Sequence, residues 1–246
     1  MKNNAQGLPS PFVPVANSKA AQIAPDIPDY LQKVYWWAYL HPNAVRFFER
    51  EWLVNLILWG NFSRLRDAAL GELGDTIEHR LLQVACVYGD FSQRIAARLG
   101  TAGRLDVVDV APIQLANLRR KLADDTRIHL HRRDASALHF ADASFDASLL
   151  FFLLHEQPEA VRRATLAEAL RVTRPGGKVV IVDYHKPKRS NPLRYVMKAV
   201  LSMLEPFADD LWRQEITSYL PTTFSPAGVS KSTCFGDLYQ KVVITV

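Results

Sequence analysis

The chain has 246 residues, 48% of them hydrophobic, and a formal net charge of +5. That length and apolar content suffice to bury one large core, and α/β units of this size often form a single domain. Only Cys86 and Cys234 occur, far apart in sequence, which excludes a disulfide framework or a cysteine-built metal site and fits a reducing cytoplasm. The longest apolar runs, such as Leu56-Ile57-Leu58-Trp59 and Val179-Val180-Ile181-Val182, fall far short of the roughly 20 residues that span a bilayer.

Residues 1–28 carry Pro9, Pro11, Pro14, Pro25 and Pro28 with few charges and no apolar stretch long enough for a secretory signal, and are read as a disordered leader. Residues 29–79 form an aromatic helical region. Val34, Trp37, Tyr39-Leu40, Phe47-Phe48, Trp52 and Leu56 suit helices folded over a sheet edge, with His41-Pro42 as a break between two of them. Such a segment serves as plain core packing, or as a lid over an apolar ligand with Trp and Tyr rings reaching a membrane interface.

From residue 80 to 246 strands and helices alternate. Leu81 to Cys86 reads as a strand, Phe91 to Leu99 as a helix, Leu105 to Val110 as a strand, and Pro112 opens a helix with Leu115, Leu118 and Leu122 inward. Ile128 to Leu130 and Phe145 to Phe152 are predicted strands, Pro158 to Val172 a helix, and Lys178 to Val182 a strand after a Pro175-Gly176-Gly177 turn. Tyr195 to Phe207 is a second aromatic helix. Val229 to Phe235 and Lys241 to Val246, separated by Gly236-Asp237, suit an antiparallel pair at the sheet's edge. The fold class is α/β, Rossmann-like, with a mostly parallel seven-stranded sheet.

The cations are spread over Arg119-Arg120-Lys121, Arg132-Arg133, Arg162-Arg163 and Lys186 to Lys198. They read as solvated helix faces or a surface drawn to anionic lipid, and no nucleic-acid motif accompanies them.

Ligands of open α/β sheets bind at the carboxyl ends of the strands. There the chain places Cys86 to Gly89, Asp109, Asp134 and Leu153-Leu154-His155-Glu156, with Arg174-Pro175-Gly176-Gly177 before the fifth strand. A carboxylate offers acceptors only, so Asp109 suits a pair of ribose hydroxyls, or caps the helix at Pro112. Asp134 in Arg133-Asp134-Ala135 is either a second ligand acceptor or a turn aspartate.

Over residues 80–185 this order and spacing resemble class I S-adenosylmethionine-dependent methyltransferases, especially those of ubiquinone and menaquinone rings. The resemblance implies cofactor contacts at Gln83, Val84, Ala85, Tyr88, Gly89, Asp109, Val110, Asp134, Ala135 and Leu153, with Asp134 on the adenine amino group. It also implies a structural role for Asp146 in the turn into the fourth strand. Where the family has an acid and then Gly-x-Gly-x-Gly, this chain has Gln83, Ala85, Val87 and Gly89. Fewer glycines reshape the bed under the cofactor, and Gln83 lacks the acid's charge.

That departure, with Tyr35-Trp36-Trp37-Ala38-Tyr39-Leu40-His41-Pro42-Asn43-Ala44-Val45-Arg46-Phe47-Phe48 and the Trp52 to Asn61 stretch, is similar to rhodoquinone-biosynthesis proteins of the RquA type. The resemblance implies conversion of ubiquinone to rhodoquinone, an amino group replacing a ring methoxy, with S-adenosylmethionine as amino donor and manganese assisting. The cysteine usage and the aromatic segments place the expected site of action in the cytoplasm, in peripheral contact with the inner face of a membrane. A carboxylate-free Gln83 favours a neutral, nucleophilic amine on the donor. Candidate metal ligands are His155, Glu156, Asp183 and His185, and His155, Tyr184 and His185 are the candidate catalytic groups. Two alternatives stay open: methylation of a quinone ring with His155 or His185 as base, and a non-catalytic accessory module.

Overall fold

The protein is described by a computed structural model over residues 26–122 and 124–246. Most of the expected leader, residues 1–25, lies outside the described residues.

Four short helices come first: α1 (Asp29–Lys33), α2 (Pro42–Phe48), α3 (Glu51–Ile57) and α4 (Phe62–Gly71). Trp36–Leu40 forms a π-helical turn that ends where His41 caps α2, accepting from Asn43 N, with Pro42 in the first turn. Proline has no N–H to lose there.

The sheet follows as β1 (Arg80–Val84), β2 (Arg104–Asp109), β3 (Ile128–Arg132), β4 (Phe145–Phe151), β5 (Thr173–Tyr184), β6 (Gly228–Cys234) and β7 (Tyr239–Thr245). Between strands run α5 (Phe91–Ala97), α6 (Pro112–Lys121), α7 (Glu159–Val172), α8 (Leu193–Leu204) and α9 (Asp210–Arg213). Strand order is β3-β2-β1-β4-β5-β7-β6. The first five strands are parallel, and β7 runs antiparallel to both β5 and β6. The chain reverses its direction of winding between β1 and β4, where such sheets open a crevice. This is the Rossmann-like methyltransferase architecture the sequence predicted.

Period-two alternation divides the core into two layers. Leu81, Val107, Leu149 and Val180 pack with Leu65 and Phe91 on one side, while Leu82, Val108, Leu150 and Ile181 pack with Leu166 and Leu170 on the other.

Two sequence expectations change. The Pro175-Gly176-Gly177 turn lies inside β5, because Thr173 already pairs with Phe145 before the register shifts to Lys178 opposite Ala147. Gly177 allows that irregularity, since a Cβ there would come within 2.6 Å of the Asp146 carbonyl. In α6, Gln114 and Asn117 are buried with Leu118, while Leu115 and Leu122 are only half-buried. The helix turns a polar edge toward the N-terminal helices, where Gln114 donates to the Tyr39 carbonyl at 3.1 Å and Asn117 to Glu49.

One buried cation ties the segment after β4 to the segment after α8. Arg162 has no exposed surface and donates to the carbonyls of Leu154, Gln157 and Phe207, each at 2.9 Å, with its guanidinium over the Tyr219 ring. Arg162→Met would strand three carbonyls, at about 1–3 kcal/mol for each group left unpaired. We expect the variant to lose at least about 3 kcal/mol in urea unfolding, and an unchanged midpoint would contradict this account of the tie.

Candidate active site

A cavity of about 560 Å³ lies over the carboxyl ends of β1, β2, β4 and β5, roofed by the N-terminal helices and by α8. On the sheet side its wall includes Ala85, Tyr88, Asp109, Val110, Asp134, Ala135 and Leu153, all expected cofactor contacts, together with His155, Glu156 and Tyr184. Gln83, Val84, Gly89, Asp183 and His185 do not line it.

The loop after β1 is shaped by strain and by the lid. Ala85 stands at φ 74°, where families with this fold often place glycine, and Phe152 after β4 at φ 52°. Left-handed backbone costs a residue with a Cβ about 1–2 kcal/mol, and such strain concentrates at functional sites. Gly89 also has positive φ, and a Cβ there would meet the Phe62 ring at 3.0 Å. Tyr88 stacks on Tyr39 with rings 5.8 Å apart, and its hydroxyl donates to the Ala38 carbonyl at 2.7 Å and accepts from Gln114 Nε2. Glu49, closing α2, accepts from Gly89 N and from Lys121. A carboxylate thus does reach the loop, though from the lid and not from β1.

Gln83 is fully buried in β1, accepts from Ser92 Oγ and donates to the Ala85 carbonyl at 2.9 Å. The cofactor contact expected at Gln83 is therefore not met by its side chain, whose amide is spent on holding the strained turn.

The acceptors for a nucleoside are present. Asp109 takes Cys86 N on Oδ2 and Ala111 N on Oδ1, each at 2.8 Å, and burial raises its carboxyl pKa. Each oxygen has a second lone pair, so the capacity to accept two ribose hydroxyls remains. Asp134 closes a turn by accepting from Ser136 N and Oγ, each at 2.7 Å. With the cavity's volume, these residues fit S-adenosylmethionine.

One part of the cavity wall is polar. His155 Nδ1 bonds Asp183 Oδ1 at 2.9 Å, which turns Nε2 toward Glu156 (3.8 Å) and Glu205 (4.0 Å). Burial works against a charged ring, yet Asp183 beside it, with Glu205 and Glu156, raises the His155 pKa to about 9. Burial pushes the Glu156 carboxyl up to about 8 against the pull of His155, with Glu205 adding to burial, and Tyr39 donates to it. Burial raises the Glu205 pKa too. Glu205 Oε2 and Gln157 Oε1 are buried without a hydrogen-bond partner, a state that native sites seldom leave unfilled. Tyr184 packs edge-on against His155 with ring centroids 4.8 Å apart.

Glu205, Tyr39 and Gln157 were missed in the sequence. Glu205 follows an amphipathic helix and carries no motif. Tyr39 was legible only as an aromatic in a greasy stretch.

The expected manganese ligands do not gather. Asp183 is consumed by Leu154 N, His155 N, Tyr184 N and the His155 ring. His185 turns outward, Nδ1 to the Asp237 carbonyl and Nε2 to Lys231, both at 2.9 Å. Among the described residues no group of three or more His, Cys, Asp or Glu side chains could hold a metal ion, so these residues do not fit the metal. His185 likewise leaves the set of candidate catalytic groups facing the cavity.

The family model described as a methyltransferase domain matches residues 81–177. That match, with the strand order, makes this stretch similar to a methyltransferase domain. The chain is 33% identical over 132 residues to a demethylmenaquinone methyltransferase of Clavibacter sepedonicus, covering 54% of this chain and 52% of that one. It is 30% identical over 157 residues to the ubiquinone/menaquinone biosynthesis C-methyltransferase UbiE of Coxiella burnetii, covering 63% and 62%. The chain thus spans between half and two thirds of the length of these relatives. Among solved structures, a protein of Pyrococcus horikoshii matches with TM-score 0.58 at 13% identity, covering 89% of this chain and 99% of that one. Human N-acetylserotonin methyltransferase in complex with SAM matches with TM-score 0.57 at 12% identity, covering 89% and 60%.

Two predictions follow from this geometry. Relieving the left-handed strain, Ala85→Gly should raise stability by up to about 1 kcal/mol, read from the urea midpoint. A loss would mean that the Ala85 side chain contributes more than its backbone costs. The second concerns pH. The folded chain holds protons on Glu156 and His155 above their ordinary values of 4.5 and 6.5. Their contribution is therefore complete at low pH and is lost as pH rises, from 4.5 to about 8 for Glu156 and from 6.5 to about 9 for His155. Glu156→Gln should flatten the fall in urea midpoint across the first window. Parallel wild-type and variant curves would sink the assignment.

Proposed function

We propose that the chain transfers a group from S-adenosylmethionine to the ring of a polyprenyl quinone, and that the group is amino, replacing a ring methoxy. The observation that carries this reading is the polar cluster of His155, Glu156, Glu205 and Gln157 in the wall of a cavity that is otherwise largely apolar. A quinone has the same division, a ring with two acceptor oxygens and a hydrocarbon tail. The named relatives, methyltransferases of demethylmenaquinone and of ubiquinone/menaquinone biosynthesis, support a quinone acceptor.

In this reading the donor's neutral amine nitrogen would bond to the methoxy-bearing ring carbon, methoxide leaving as methanol with the amine's proton. The nitrogen's bond to the donor's α-carbon would then break through loss of the α-proton, the electron pair passing into the quinone ring, and hydrolysis, leaving an aminohydroquinone and the donor's α-keto acid. In the alternative the donor gives a methyl. Asp109 accepts the ribose hydroxyls and Asp134 takes the adenine amino group. Cationic His155, fixed through Nδ1 by Asp183, donates from Nε2 to a quinone carbonyl oxygen, which makes the ring carbons electron-poor and open to a nitrogen nucleophile. Neutral Glu156 is a second donor beside it. Tyr184 holds the imidazole ring in place. Ring methylation asks the opposite of the site: a base that takes a proton from a ring hydroxyl. A histidine protonated up to about pH 9 is a donor under ordinary conditions, and this favours amination. Since a polyprenyl acceptor resides in the bilayer, the protein works at a membrane surface.

The test is mass spectrometry of the product from pure protein, S-adenosylmethionine and a short-tailed ubiquinone, with manganese and with a chelator in separate arms. Exchange of methoxy for amino is expected, with turnover falling as pH rises through about 9 as His155 loses its proton. His155→Ala should lose at least about 10²-fold in kcat. A product heavier by one methylene, or a rate that climbs through that pH range, would establish ring methylation instead. Donor binding without any product would point to an accessory module.

A further inference from the structure

We propose that the outer face of α3 and α8 docks on an anionic lipid bilayer, so that the cavity opens into the membrane's apolar layer. The proposal deepens the quinone reading and rests on it for the identity of what enters. It begins from the cavity's rim. Leu56, Ile57 and Trp59 at one side and Val200 and Leu204 at the other line the cavity and are also 65%, 44%, 40%, 37% and 42% exposed. A cavity whose rim is apolar and open to the outside on two separate elements is mismatched to water. The two sides are joined where Trp59 Nε1 donates to Met197 Sδ at 3.1 Å.

Beyond the rim the apolar surface continues. Met203 is 78% exposed and Trp52 57%, and neither lines the cavity. On α8 the exposed residues Val196, Val200, Met203 and Leu204 follow helical spacing, distinct from the buried pair Met197 and Leu201. A contiguous apolar patch of this kind marks a contact surface, and Trp and Met side chains suit the boundary of a bilayer.

Charge decides what covers it. From Lys186 to Leu204 the chain carries Lys186, Lys188, Arg189, Arg194 and Lys198 and no Asp or Glu. Lys186, Arg194 and Lys198 share a small cleft on the flank of α8 with Asp209 and Arg213, which pair with each other, and none of the three has a salt bridge of its own among the described residues. Helical spacing sets Arg194 and Lys198 on the other flank of α8 from Val196 and Val200, so they leave the apolar stripe uninterrupted and attract anionic headgroups across about one helix diameter, each worth up to about 1 kcal/mol within a Debye length of such a surface.

Flotation of the full chain with vesicles tests this without reference to turnover, so that failure of the transferase reading leaves the result standing. Vesicles of phosphatidylcholine alone and of equal parts phosphatidylcholine and phosphatidylglycerol are the probes. Wild type is expected to float with the anionic vesicles, less with the neutral ones, and to release at high salt. The paired variants Trp52→Glu with Met203→Glu, and Arg194→Glu with Lys198→Glu, should each weaken binding at least about tenfold while keeping the wild-type thermal midpoint. Wild type that stays with neither vesicle at low salt, or variants that bind as wild type does, would overturn the proposal. So would a wild-type dimer in lipid-free buffer that Met203→Glu alone converts to monomer, since the face would then be an interface between copies.

Discussion

Asp183 is the constraint on which the site depends. It ends β5 with no exposed surface, and a carboxylate there costs several kcal/mol unless hydrogen bonds replace its water. Three backbone N–H groups, those of Leu154, His155 and Tyr184, and the His155 ring do so. Two of those amides belong to the short helical turn after β4, so satisfying the charge also fixes that turn against β5. Once Nδ1 is taken by Asp183, Nε2 is the atom left for the cavity. The same charge keeps the ring protonated in a place where burial alone would neutralise it. Geometry, tautomer and charge of His155 thus follow from one buried group.

The lid answers a second constraint, the poverty of glycine in the loop after β1. A loop rich in glycine can lie flat beneath a cofactor and needs little support. Ala85, Val87 and Tyr88 cannot, and the chain supports them from above. Tyr88 is clamped between Tyr39 and Phe48, Gln114 reaches the Tyr88 hydroxyl and the Tyr39 carbonyl, and Glu49 gathers Gly89 N, Asn117 and Lys121. The aromatic stretch before the sheet and the altered loop are therefore one feature. Either without the other would leave rings or amides unpaired.

This coupling explains what was legible in the sequence. Strand positions were, because parallel strands buried on both faces read as short apolar runs and the residues after them carry the chemistry. Asp109, Asp134 and His155 fall at the cavity wall on that basis alone. What period and spacing could not give was which way a side chain turns beyond a strand's end. Gln83 and His185 sit at the expected positions yet point into the core and toward Lys231. Glu205 and Tyr39 stand outside any strand-end pattern, and only the packing of α8 and the π-helical turn over the sheet brings Glu205 toward His155 and Tyr39 to Glu156. Likewise the Pro175-Gly176-Gly177 signal was correct as backbone irregularity and wrong as a strand boundary, because the bulge keeps pairing on both sides.

The cavity's two ends differ in solvent as well as in chemistry. Asp109 and Asp134 suit a polar, water-borne nucleoside, whereas Leu56, Trp59, Val200 and Leu204 suit a chain that would pay heavily to cross water. Bringing such partners together requires that each reach the same interior from its own phase. In the proposed reading a roof built from helices, with one apolar rim, would serve this without moving the sheet: the donor would rest on strand ends fixed by the core, and the acceptor would enter past the rim. His155 and Glu156 are themselves buried, and away from water a hydrogen bond from His155 acts more strongly than it would at the surface.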